Sequence, residues 1–154
     1  MESTIYVKPE RIRQYVIDLF GHYHVSKTDA AMIADNLIDA EIRGVTTHGL
    51  TRIPLYTEKL ISGLCDAKAV PEIVKNYGAT ALIDAHDGLG QVAATKAMEL
   101  AIEKAEQFGV GYVGLRNGSH YGTAGYYAMM AEKRGMIGFS MTNSGAFVAP
   151  FGGV

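Results

Sequence analysis

Two histidine stretches in this 154-residue chain combine residue types that chemistry uses, "GVTTHGLTR" and "NGSHYGTAG". In the first, His48 and Arg52 stand four apart, so a helix through them would set imidazole and guanidinium on one face. That pair suits an anion: the planar fork of arginine matches a carboxylate, and histidine can move a proton near neutral pH. From the residues alone, a plainer reading weighs more, with Arg52 on the surface and His48 capping or hydrogen-bonded locally. In the second stretch His120 lies between Gly118 and Gly122, after the apolar run "GVGYVGL" and before a helix-like segment. A strand-to-helix turn is where α/β proteins commonly set ligand-contacting groups. Glycines there let the backbone approach a bound molecule, and Ser119 or Thr123 is placed to cap the helix. A structural histidine bonded to a backbone carbonyl accounts for the same letters.

Further along, "MTNSG" offers Thr142, Asn143 and Ser144 at the end of a strand-like run, either to bond a ligand or to form an Asx-type turn. His22, His24 and His86 have no comparable setting. "GVGYVG" does not open a helix, as a dinucleotide fingerprint requires, and no P-loop or G-x-S-x-G motif occurs. The histidines and the lone Cys65 lack the spacing of a zinc site, so no metal is expected.

These residues need elements to position them. "KPERIRQYVIDLFGHY" spaces Ile12, Tyr15, Val16, Leu19 and Phe20 as an amphipathic helix behind a first-turn proline. The stretch from Ser26 to Gly44 reads as a second helix, with Ser26 and Asp29 as a weak capping box and Gly44 at a left-handed C-cap. A loop then enters a third helix with Pro54 in its first turns. "EIVKNY" and "TALIDA" read as paired strands around Gly78. From Gly90 on, a helix to Phe108, a strand "VGYVGL", a helix "TAGYYAMMAEKRG", a strand "MIGFSMT" and a loop "NSGAFVAPFGGV" alternate, which argues for α/β architecture. Tyr126, Tyr127, Met129 and Met130 are expected to pack, with one tyrosine hydroxyl reaching a pocket.

A composition 48% hydrophobic and 19% charged is that of a globular domain with a substantial core, and a net charge of −2 gives no electrostatic reason to expect nucleic acid or an anionic membrane as partner. No apolar run approaches the roughly 20 residues of a membrane span. One cysteine and no apolar leader point to a reducing cytoplasm.

Four stretches in order, "GVTTHGLTRIPLY", "DGLGQVAATKAMELAI", "VGLRNGSHYGTAGYYA" and "MTNSGAFVAPFGG", make the chain resemble the malate/L-lactate dehydrogenase family that does not use the Rossmann fold and includes ureidoglycolate, sulfolactate and diketogulonate dehydrogenases. The resemblance runs from Arg11 onward. It implies an NAD- or NADP-dependent oxidoreductase that interconverts a 2-hydroxy acid and a 2-oxo acid as a homodimer or higher oligomer. On that resemblance His120 is the proton acceptor for the substrate hydroxyl, His48 a second acid/base histidine, and Arg52 the clamp on the substrate carboxylate. Ser144 and Asn143 match cofactor contacts, and Thr47 stands where relatives commonly have serine. Residues 1–70 are expected to form an N-terminal helical segment, and 71–154 the first part of an α/β cofactor- and substrate-binding domain. Family members are longer, so a truncated form is expected. The alternative is a catalytically inactive remnant serving as an oligomerising or partner-binding module, which predicts exposed apolar surface.

Overall fold

The computed structural model describes residues 6–145 and 152–153. Helix α1 spans Pro9–His22 and α2 spans Lys27–Ile42. The proline begins α1 where no intrahelical N–H bond is lost. Ser26 caps α2 as expected, its Oγ accepting from the Asp29 amide at 3.1 Å and donating to Asp29 Oδ2 at 2.7 Å. Two 3-10 turns, Thr46–His48 and Leu50–Arg52, lead into α3, Ile53–Ile61, with Pro54 in its first turn.

Among the described residues the sheet has three strands in the order β1-β2-β3, covering Glu72–Tyr77, Thr80–Asp84 and Tyr112–Arg116. β1 and β2 form the expected antiparallel pair. β2 and β3 run parallel, joined through α4, Gly90–Phe108, which packs on both. That is a strand–helix–strand unit, the arrangement the alternating pattern implied. Helix α5, Ala124–Glu132, follows β3 and packs on α4 and α2.

The core joins the first helices to the start of α4. Val16, Ile17 and Phe20 of α1 meet Ile33, Ala34 and Leu37 of α2, Tyr56 of α3, Cys65, and Leu89 and Val92. Phe20 is fully buried, and removing such a side chain from water is worth about 1.5–3 kcal/mol. Among the described residues no helix is long and apolar enough to cross a membrane.

One expected strand is absent. "MIGFSMT" alternates apolar residues, yet it forms no strand, and Ile137, Phe139 and Met141 are 87%, 77% and 78% exposed. Alternation supplies a face, but a strand also needs a ladder partner, and among the described residues β3 pairs only with β2. The expected loop after Asn143 falls mostly on residues 146–151 and 154, outside the described residues.

Candidate active site

The loop that carries His120 is anchored from below by one carboxylate. Asp84 ends β2 with its side chain 6% exposed. It accepts from Arg116 Nε at 2.8 Å, from Asn117 Nδ2 at 3.0 and 3.1 Å, and from the His86 amide at 3.0 Å. The His86 amide, Asn117 and Arg116 hold its carboxyl down to about 2. Backbone bonds Ala85 N to Arg116 O at 3.0 Å and Asp87 N to Asn117 O at 2.9 Å continue the parallel pairing beyond the strands. His86, Asp87 and Asn117 adopt left-handed φ of 49°, 57° and 52° to do so. Gly90 then lets α4 start against this loop, since a Cβ there would fall 2.3 Å from Ser119 O and 2.5 Å from His120 O.

His120 is half-buried between β3 and α5, at the strand-to-helix turn the sequence indicated. Its Nδ1 lies 2.8 Å from the Tyr56 hydroxyl and accepts from the Gly122 amide at 3.3 Å. The His48 ring stacks on it with centroids 5.7 Å apart and planes at 29°. Lys59, one turn after Tyr56 on α3, donates to Ser119 Oγ at 3.0 Å. Burial lowers the His120 pKa, and Arg52, His48 and Lys59 add to the effect through their positive charge. Among the described residues, every charge that shifts this imidazole is positive. A group so placed binds a proton less readily than a free imidazole and sits in a field that favours an anionic ligand.

His48 and Arg52 both face this centre, but not from one α-helical face. Gly49, at ψ −139°, separates the two 3-10 turns, and the Glu41 carboxylate takes the Leu50 amide at 2.7 Å. Thr47 Oγ1 lies 3.0 Å from His48 Nδ1, and Arg52 Nε donates to Thr47 O at 2.5 Å. The remaining guanidinium nitrogens make no hydrogen bond to other described residues, which leaves the forked edge of Arg52 for a carboxylate.

Three details differ from the sequence reading. Ser119 accepts from Lys59 instead of capping α5, and Thr123, at the N-cap position, makes no side-chain cap bond. The space at Gly122, where φ is +83°, is filled by Asn36, because a Cβ would come within 1.9 Å of Asn36 Oδ1. That glycine serves helix packing, not ligand approach. Of Tyr126 and Tyr127, it is Tyr127 whose hydroxyl is bonded among the described residues, donating to Tyr121 O and accepting from Asn36 Nδ2 at 3.3 Å. It is buried in the core, not directed to a pocket.

The structure does not join Asn143 and Ser144 to the histidine cluster. Both are exposed, and among the described residues the Ser144 hydroxyl donates to the adjacent Gly145 carbonyl. A bond between Tyr121 and Ser140 at 3.4 Å ties their segment to the His120 loop. Sequence reasoning missed Tyr56 and Lys59. They continue the Arg52 spacing at i+4 and i+7, so extending the helical-face argument past Arg52 finds both. It also missed Gln91, fully buried in the first turn of α4 with neither amide atom hydrogen-bonded among the described residues. Burial raises the Tyr56 phenol pKa, while Arg52 and the nearby Gln91 amide oppose the rise.

Comparison with known proteins places this chain in a family. The malate/L-lactate dehydrogenase profile matches residues 7–154. A malate dehydrogenase of Pyrococcus horikoshii is 43% identical over 153 residues, covering 99% of this chain and 42% of its own length. An L-sulfolactate dehydrogenase of Methanocaldococcus jannaschii is 46% identical over 147 residues, 96% of this chain and 43% of its own. The solved sulfolactate dehydrogenase from the same organism superposes with a TM-score of 0.82 at 44% identity, over 84% of this chain and 38% of that one. The chain thus spans less than half the length of these relatives, and it belongs to the malate/L-lactate dehydrogenase family.

Proposed function

We propose that this chain carries the proton-transfer half of an NAD- or NADP-dependent 2-hydroxy-acid dehydrogenase, which interconverts a malate-, lactate- or ureidoglycolate-like acid and its 2-oxo acid. The observation that carries this reading is the half-buried His120, with Nδ1 engaged by Tyr56 and Gly122 and only positive charges acting on it. His120 exchanges a proton with the substrate oxygen at Nε2. His48, stacked on it, is the second acid/base group and limits how the ring can tilt. The free edge of Arg52 takes the substrate carboxylate and so fixes the reacting carbon relative to His120. Residues 1–70 form the helical segment, and 71–154 begin the cofactor- and substrate-binding domain.

The exposed Asn143 amide and Ser144 hydroxyl fit the donor and acceptor needs of a nicotinamide carboxamide, and they would hold it. The nicotinamide, when bound, supplies or accepts the hydride. The protein works in the cytoplasm as a homodimer on a small-molecule acid, without nucleic acid or membrane.

The test is loss of NADH and NADPH absorbance with a panel of 2-oxo acids, comparing the parent protein with His120→Gln. Turnover in the parent, reduced on the order of 10²–10⁴-fold in the variant with nicotinamide affinity kept, is expected. Equal turnover in both would refute the role of His120. The exposed Ile137, Phe139 and Met141 favour a second reading, an oligomerising or partner-binding module without catalysis. That module would bind neither nicotinamide.

A further inference from the structure

The hydrogen bonds around His120 specify more than its position. A backbone amide can only donate, so the Gly122 N–H at 3.3 Å requires Nδ1 to act as acceptor. The Tyr56 hydroxyl at 2.8 Å can donate or accept, and facing the same nitrogen it must donate as well. A neutral imidazole with an unprotonated Nδ1 carries its proton on Nε2. The fully buried Gln91 amide, near the Tyr56 hydroxyl and without another partner, offers a donor toward the phenol oxygen.

We propose that Tyr56 is a positioning residue that, with the Gly122 amide, holds resting His120 as the Nε2–H tautomer, so that the neutral enzyme meets its substrate with a hydrogen-bond donor. This rests on the reading of His120 as the acid/base group. A 2-oxo acid then enters with its carbonyl oxygen hydrogen-bonded to Nε2–H, and net proton transfer to that oxygen takes place once the ring has gained a second proton at Nδ1, so that it ends neutral and not as an imidazolate. A 2-hydroxy acid needs a base at Nε2 instead, so the imidazole proton must first move to Nδ1. There it faces the Gly122 N–H, and the Tyr56 hydroxyl must rotate to accept it. Among the described residues the titratable groups acting on the ring are His48 and Arg52 from the 3-10 turns and Tyr56 and Lys59 from α3, and no carboxylate of these residues competes for the Nδ1 position. The low proton affinity of the ring agrees with this arrangement, because protonation at Nδ1 would set two N–H groups against each other.

Long-range ¹H–¹⁵N correlation spectra of the intact protein with ¹⁵N-labelled histidine read the tautomer directly. At a pH above the His120 titration, Nδ1 is expected at the shift of an unprotonated acceptor nitrogen and Nε2 at that of a protonated one. In Tyr56→Phe the Nδ1–H population is expected to rise and the titration midpoint of His120 to move upward, since one donor to Nδ1 is gone. A purely structural Tyr56 would leave both unchanged. A wild-type spectrum with Nδ1 protonated, or a Tyr56→Phe protein with unaltered populations and midpoint, overturns the proposal. The wild-type spectrum decides even if the variant does not fold. Turnover of His120→Gln tests the function separately, so the two failures are distinguishable.

Discussion

Gly122 and Gly125 stand three residues apart and should respond to alanine in opposite directions. At Gly122, φ is +83° and a new Cβ would fall 1.9 Å from Asn36 Oδ1, 2.9 Å from its Cγ and 3.2 Å from its Nδ2. Asn36 cannot yield cheaply, for it is fully buried and bonded to Tyr127. Left-handed backbone costs an alanine roughly 1–2 kcal/mol and overpacking a filled core about 1–3, together about 2–5 kcal/mol. For a chain of this size each kcal/mol moves the melting midpoint by about 2–4 °C, so a loss on the order of 10 °C is expected. At Gly125, exposed in the first turn of α5, nothing lies within 4 Å of the added Cβ. Alanine there should stabilise by about 0.4–1 kcal/mol, because it restricts the unfolded chain without strain. Urea unfolding of both variants gives the two numbers. Repeating Gly122→Ala in an Asn36→Ala background removes the obstructing side chain and should leave only the backbone term, about 1–2 kcal/mol. An equal cost in both backgrounds, or a Gly122→Ala protein as stable as Gly125→Ala, would refute the packing argument.

Arg52→Lys should mainly raise the Michaelis constant for the acid, because an ammonium cannot make the forked contact; an unchanged constant in steady-state assays would remove Arg52 as the clamp. Asp84 titrates about 2 in the folded protein against 3.8 unperturbed, so its ionised form stabilises the fold above pH ~4, and that contribution is lost as pH falls from about 4 toward 2. Asp84→Asn should therefore be less stable than the parent near neutrality, with the gap in unfolding midpoint closing across that acid window. Cys65 is buried and its thiol is pushed up to about 11, so alkylation by iodoacetamide at pH 8 should be slow until urea unfolds the chain.

Where local patterning decides the structure, the sequence was readable. The Gly90–Phe108 helix and the strands around Gly78 follow from apolar period and turn residues that act within a few positions. "MIGFSMT" misleads because its alternation describes a face, whereas strand formation depends on a neighbour elsewhere in the chain. His48 and Arg52 were identified as candidates, but their geometry was not, because Glu41 captures the Leu50 amide and that side-chain competition is invisible in helical spacing. Gly122 was recognised as special for the wrong reason. Its neighbour Asn36 is 86 positions away, and only the packing of α5 on α2 brings them together. Tyr56 reads as an ordinary core aromatic until its hydroxyl is seen against His120.

The bonds that build the site join distant parts of the chain: Tyr56 to His120 across 64 positions, Lys59 to Ser119 across 60, and Asn36 to Tyr127 across 91. Synthesis proceeds from the N-terminus at about 5–20 residues per second, so Tyr56 leaves the ribosome roughly 3–13 seconds before His120. For that interval α1, α2 and α3 can pair with one another, but the Tyr56 hydroxyl has only water to bond. The nascent chain thus carries an apolar cluster, with Ile33, Leu37 and Tyr56 among its members, that is completed when Leu89 and Val92 join it. It is the stage of this protein's life at which a chaperone has the most to hold.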